Sequence, residues 1–339
     1  ISIISFILHL AVGYSNIKFY RFCLKNRLFF RNEKECILKV QLQRMVDVNK
    51  QLQGGYFVVQ DRTEEINNLK RERWLATHDS LTGLYNKGRF CEKAEFLDLR
   101  AVAFTDHCEV DQFKGDRAYE KRMFQAFFEI AKVRSAFRGK LLVLNGIELG
   151  QPAFDIETAN EIVNRYEYDQ ILGSVHNLRG GEDFYFMENL TNHQAEKLLK
   201  EYFNAVIEML EWGNFDILAH LTYPLRYFYS KSNLDIDLNG FRKQIDEILR
   251  LTAKSDKSLE INTAALRQPL NKLSPEVDII KRFKELGGKF VSVGSDAHFA
   301  EHLACDIDMA YTAAKTAGFD SITFFQNRTP MQIKIETED

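Results

Sequence analysis

The sequence predicts an α/β fold built on a parallel sheet, and three observations carry that expectation. Short apolar runs recur from about residue 91 onward, helix-forming stretches separate several of them, and 339 residues suffice for two domains or one large β/α barrel. The runs are AVAFT (101–105), KLLVLNGIE (140–148), DQILGSV (169–175), FDILAH (215–220), SLEINT (258–263), KFVSVGS (289–295) and SITFF (321–325). Between them, AEKLLKEYFNAVIEMLEWG (195–213) and DLNGFRKQIDEILRLTAK (237–254) read as helices. The length per unit leaves the sheet either doubly wound and open or closed into a barrel.

Upstream the texture differs. ISIISFILHLAVGY (1–14) is apolar but falls short of the roughly 20 residues that a spanning helix needs. Residues 1–20 therefore read as a buried or interfacial helix, with the end of a membrane span as the alternative. Residues 31–53 are charged and read as helix-prone, which makes 1–54 a helical, membrane-proximal segment. GYFVVQDRT (55–63) reads as a strand running into a turn, and EEINNLKRERWLA (64–76) as an amphipathic linker helix.

Composition bounds the class. Apolar residues make up 45% and charged residues 27%, enough for a sizeable core, which excludes disorder, collagen and a disulfide scaffold. Residues 1–90 carry 15 Lys/Arg against 8 Asp/Glu, and the remainder 30 against 40. An acidic body argues against a nucleic-acid partner. Cys23, Cys36, Cys91, Cys108 and Cys305 are odd in number and lack CxxC spacing, which fits a reducing, cytoplasmic compartment.

The chemistry lies at the strand ends. TDH ends in His107, GIE in Glu148, SVH in His176 and LAH in His220, while SDAH supplies Asp296 and His298. At the C-terminal mouth of an α/β barrel such residues converge even when far apart in sequence. Imidazole with carboxylate suits zinc, manganese or iron. One shared metal site is the expectation.

AFTDH, NGIELG, ILGSVH, FDILAHLTYPLRY, LEINT and VSVGSDAH occur in the order found in the PHP (polymerase and histidinol phosphatase) superfamily. Residues 91–339 resemble its histidinol-phosphate phosphatase branch. The resemblance implies a distorted seven-stranded β/α barrel holding up to three divalent metals. By motif, Glu148 would bridge two metals and His176 with His220 complete one site, Asp296 would serve another, and His107 with His298 a third. Such metals polarise phosphoryl oxygens and activate water for in-line attack. The implied activity is phosphomonoester hydrolysis, on histidinol phosphate in histidine biosynthesis, with another small phosphorylated substrate as the alternative. Asp296 and Arg226 are the catalytic candidates. Arg226 is also the candidate phosphate clamp, against a surface salt bridge, and Tyr223 a substrate contact, against plain aromatic packing. Glu109 and Asp111, just past a strand end, could support ligands from behind. His193, Lys87 and Arg89 read as solvated, and His302 as a surface helix position.

Two departures qualify the resemblance. The family opens with a strand carrying HxH, and none of the eight histidines here forms such a pair. The barrel is thus expected to lack its first strand, to bind fewer metals and to hydrolyse phosphate poorly. Upstream, RERWLATHDSLTGLYNKGRF (71–90) resembles the entry to a GGDEF diguanylate cyclase domain, and GYFVVQDRTEEINN the end of a PAS domain, so 55–90 reads as a linker of that kind. EVDQFKGD (109–116) and RGGEDF (179–184) echo cyclase motifs, but both sit in register with the phosphatase pattern. A catalytically impaired fusion acting only in binding or signalling is the reading from another class.

Overall fold

The computed structural model describes residues 24–31, 34–46, 52–77, 86–114 and 117–336. The expected apolar helix over 1–20, with its membrane contact, lies outside them. Among the described residues no helix is long and apolar enough to cross a membrane. The chain divides into two units, Ile1–Ser80 and Leu81–Asp339.

In the first unit β1 (Leu24–Arg31), β2 (Lys34–Val46) and β3 (Leu52–Asp61) form an antiparallel sheet in that order. The described residues of the helix expected over 31–53 are therefore strand. Its charge density suggested a helix, but Leu38, Val40 and Leu42 alternate with Lys39, Gln41 and Gln43, the period of two that a strand requires. The expected break at 54/55 falls inside β3. From β3 the chain turns into α1 (Thr63–Thr77), as the sequence suggests. The Asp61 carboxylate accepts the Thr63 N–H at 2.9 Å, and Glu64 and Glu65 favour the positive end of the helix.

The second unit opens with α2 (Lys87–Phe96), capped by the Asn86 side chain accepting from the Arg89 N–H. Cys91 and Ala94 of α2 are buried with Val102, Ile130, Val133, Leu141 and Val143, so this unit reaches ahead of residue 91. There follow β4 (Ala101–Glu109), α3 (Arg117–Ala136), β5 (Leu142–Gly150), α4 (Ile156–Val163), β6 (Gln170–Ser174), α5 (Asn192–Trp212) and β7 (Ile217–Leu218). After them come α6 (Tyr223–Ser232), α7 (Arg242–Lys254), β8 (Ser258–Asn262), α8 (Val277–Glu285), β9 (Phe290–Gly294) and α9 (Ile307–Thr316). The helices show why they form where they do. In α5 a reciprocal capping box joins Thr191 and Gln194, Gly213 ends the helix at φ 74°, and Leu199, Tyr202, Phe203, Val206 and Leu210 recur at helical spacing on its buried face.

β4 to β9 are all parallel and pair strictly in sequence order. A doubly wound sheet reverses its order at a switch point, whereas this one never does, so it curls in one direction as a barrel wall does. Among the described residues it has six strands, one fewer than the seven implied by the resemblance. Among the described residues β4 pairs with β5 alone, and its outer edge has no strand partner.

SITFF is not a further parallel strand. As β10 (Ser321–Gln326) it pairs antiparallel with β11 (Thr329–Lys334) through a turn whose Asn327 and Arg328 both have left-handed φ, 49° and 62°. The hairpin covers the N-terminal ends of the strands. The Asn327 N–H donates to Asp169 Oδ1 at 3.2 Å, Arg328 Nε to Asp216 Oδ2 at 2.5 Å, and Phe325 is buried against Leu172, Ile217 and Ala219. The base is closed; the opposite mouth carries the chemistry.

Candidate metal centre

Strand register builds the site. In the parallel pairing of β4 with β5, His107 lies opposite Glu148 and Glu109 opposite Gly150. Because side chains alternate along a strand, residues two apart share one face. Glu148, only 5% exposed, lies between the rings of two histidines. Its Oε1 is 3.0 Å from His176 Nε2 and 2.8 Å from His220 Nε2, and its Oε2 is 3.8 Å from His107 Nε2. Just past β9, Asp296 has a left-handed backbone (φ 47°), and its Oδ1 lies 3.3 Å from His298 Nε2. The rings of His298 and His107 stack at 5.7 Å. Three donor sets result, each with its atoms within 4.8 Å of one another: Glu148–His176–His220, His107–Asp296–His298 and His107–Glu109–His176. All six residues singled out as ligands from sequence are thus brought to one mouth.

The electrostatics fit a divalent cation. Burial opposes charge on Glu148, yet His107 and His220 outweigh it and hold the carboxyl well below its ordinary range. Glu148 in turn is the main cause that pushes His107 up to about 9. Burial also opposes ionised Glu109, which His176 and His107 nevertheless hold at about 2. A buried carboxylate meeting several imidazole nitrogens has the mixed N/O donor chemistry of zinc, manganese and iron sites.

Beside the cluster stands Arg226, 7% exposed and hence no surface salt bridge. Its guanidinium lies over the rings of Tyr223 at 4.4 Å and Tyr227 at 5.0 Å, and NH1 reaches Asp296 Oδ2 at 3.1 Å. Its Nε is buried with no hydrogen-bond partner among the described residues. The Tyr223 hydroxyl donates to Asp183 Oδ1 at 2.8 Å, while its ring packs 4.9 Å from those of His176 and His220. The RGGEDF stretch thus serves the barrel: Asp183 anchors Tyr223, and Phe184 is fully buried. Asp111 of the other cyclase-like stretch accepts from Asn177 Nδ2 at 2.9 Å. Lys87 is not solvated but paired with Asp106 at 2.9 Å. His193, exposed at the start of α5, and His302, edge-on to Phe299, stand outside the donor sets.

Sequence reasoning missed Glu260. It lies mid-strand in β8, and its Oε2 accepts the His220 backbone N–H at 2.8 Å. Burial, helped by Glu148, pushes its carboxyl up to about 8. The signal was available: a lone acid in SLEIN, two residues from both Ser258 and Asn262 and so on one face with them. A Cβ on Gly294 would stand 2.0 Å from its Oε1, so glycine there makes the room.

Comparison with known proteins bears on these observations. A PHP domain model matches residues 76–264. Histidinol-phosphatase of Lactococcus lactis is 29% identical over 229 residues, covering 67% of this chain and 83% of that protein. A probable histidinol-phosphatase of Clostridium acetobutylicum is 30% identical over 232 residues, covering 67% and 86%. The crystal structure of histidinol phosphate phosphatase from Lactococcus lactis, complexed with zinc, L-histidinol and phosphate, matches with a TM-score of 0.60 at 25% identity, covering 72% of this chain and 92% of that one. A putative histidinol phosphatase from Listeria monocytogenes shares the fold, with a TM-score of 0.57 at 19% identity over 67% of this chain and 94% of that one.

Proposed function

This chain belongs to the PHP domain family, and on that footing we propose that it is a metal-dependent phosphomonoesterase acting on histidinol phosphate. The observation that carries the reading is Glu148, shared by His176 and His220 within reach of the Arg226–Asp296 pair. Glu148, His176 and His220 would hold one ion, and His107, Asp296 and His298 would serve the rest of the cluster. When bound, such ions polarise a phosphoryl oxygen and lower the pKa of water. Arg226 supplies a planar, permanently charged fork for the phosphate, and Tyr223 and Tyr227 hold its plane. Zinc is the ion we favour, because the Lactococcus lactis structure contains it. The site of action we propose is the cytoplasm.

Fewer than three ions per chain are expected. No HxH pair occurs in the sequence, and the side chains of His107 and His298 are 41% and 64% exposed. For the first unit, a sheet of three antiparallel strands leading into a helix supports the end of a sensor module. The test is phosphate release by the full chain loaded with Zn²⁺ or Mn²⁺, from histidinol phosphate, a nucleoside monophosphate and a sugar phosphate. Preference for histidinol phosphate in kcat/KM is expected. Equal rates on all three would make it a phosphatase of broader substrate. Metal uptake without turnover would favour the impaired, binding-only fusion.

A further inference from the structure

β4 does not stop at His107. It runs two residues further, which puts Glu109 on the same face, next to the rings that surround Glu148. Glu109 Oε1 lies 3.0 Å from His176 Nδ1 and 3.6 Å from His107 Nδ1. The opposite nitrogens of the same rings face Glu148, at 3.0 Å for His176 and 3.8 Å for His107. Each imidazole therefore spans two carboxylates, Glu109 behind and Glu148 in front.

A neutral imidazole carries one proton, and the hydrogen bond on one nitrogen decides which lone pair the other presents. Were Glu148 alone present, the favoured tautomer would put the proton on Nε2, pointing at that carboxylate and blocking the ligating lone pair. A carboxylate behind the ring draws the proton to Nδ1 and frees Nε2. We infer that Glu109 is a positioning residue which sets the tautomer and ring orientation of His176, with His107 as its second client, and that Gly150 is its required counterpart. This rests on the metal-dependent reading above.

Gly150 is the independent part of the argument. It lies opposite Glu109 in the strand register, and a Cβ there would stand 1.8 Å from Glu109 Oε2. That oxygen is buried with no hydrogen-bond partner among the described residues, so the carboxylate is held by its other oxygen's bond to His176 and occupies the space a side chain at 150 would take. The His176 backbone is secured separately, its N–H donating to Gln151 Oε1 at 3.1 Å. Loss of Glu109 therefore removes the contact behind the ring, leaving Glu148 in front as its carboxylate partner, and leaves the chain path anchored.

The experiment uses the full chain with Glu109→Gln, Glu109→Ala, Gly150→Ala and the Glu109→Gln/Gly150→Ala double variant. Zn²⁺ affinity is read by competition with a chromogenic chelator, ligand geometry by the visible spectrum of the Co²⁺ form, and folding by thermal unfolding of the metal-free chain. Glu109→Ala is expected to bind Zn²⁺ about 10- to 100-fold more weakly with a changed Co²⁺ spectrum. Glu109→Gln, whose amide oxygen can still accept from Nδ1–H, should recover part of the loss. Gly150→Ala should reproduce the defect by displacing the carboxylate, and the double variant should be no worse than the weaker single, since both remove the same contact. Wild-type affinity and spectrum in Glu109→Ala would overturn the inference, and so would fully multiplicative losses in the double variant. If Gly150→Ala fails to fold, the two Glu109 variants decide alone. A wild-type chain that takes up no metal overturns the metal reading itself, which separates that failure from this one.

Discussion

The guanidinium of Arg226 and the carboxylate of Asp296 meet at 3.1 Å although 70 residues separate them in sequence. The pair holds Asp296 at the edge of the cluster and turns Arg226 toward it. Replacing Arg226 by lysine keeps the charge but removes the planar fork, so we expect kcat/KM to fall about 100-fold with metal content unchanged. Steady-state kinetics beside metal analysis checks this. A loss below about threefold, small against the effect expected for a lost charge-stabilising donor, would reduce Arg226 to a packing role.

Among the described residues, Glu148 is the one carboxylate that both His176 and His220 approach within 3.0 Å. Glu148→Gln should lower the metal retained after gel filtration by at least one ion per chain and abolish phosphate release. Elemental analysis of the filtered protein is the readout; undiminished metal would place the ions elsewhere in the mouth.

Tyr223 offers its ring to Arg226 and its hydroxyl to Asp183. Tyr223→Phe should cost about 1 kcal/mol in urea unfolding through the lost hydrogen bond. Because the ring stays in place, KM should change less than about threefold, a small fraction of what a lost bond to substrate causes. A tenfold rise in KM, about what one lost ligand contact gives, would mean that the hydroxyl reaches the substrate.

At the closed base, Lys257 donates to the carbonyls of Gly213 and Phe215, each at 2.6 Å, above the Phe215 ring. Burial pushes its ammonium down to about 8, against an ordinary 10.5. Below pH 8 the lysine is charged in both folded and unfolded chains, and the folded state bears the full penalty. Between 8 and 10.5 the unfolded chain holds more protons, so this residue's contribution to stability rises with pH. The wild type should therefore gain in urea midpoint across that window relative to Lys257→Met. Parallel curves for the two chains would contradict the assignment.

Much of the site was legible because its ligands gather at the C-terminal ends of apolar runs: His107 and Glu148 lie two residues inside the ends of β4 and β5, His176 and His220 two residues beyond β6 and β7, and strand ends converge wherever a parallel sheet curls. Glu260 was harder to see, because an acid inside a buried strand announces itself only through the face it shares with Ser258 and Asn262. Asp183 was invisible as the partner of Tyr223, since no local pattern ties a loop carboxylate to a helix 40 residues later. The strand over 34–46 is harder to see, because its charge favours a helix and only the alternation of Leu38, Val40 and Leu42 speaks for a strand. The hairpin of β10 and β11 is equally hidden. Its turn lacks the glycine that usually marks two successive left-handed residues; Asn327 and Arg328 adopt them instead, held by their bonds to Asp169 and Asp216.

The strictly sequential pairing of β4 through β9 also sets the order in which this barrel can assemble. Each strand finds its partner in the strand just before or after it, so the wall can grow by adjacent additions, each closing only the crossover between neighbouring strands. The base hairpin is the opposite case: Asn327 reaches Asp169 across 158 residues and Arg328 reaches Asp216 across 112. Those contacts have no reward until the wall exists, which makes them the last step of folding. Pulse-labelled hydrogen exchange should find amides of β5 and β6 protected before those of β10 and β11.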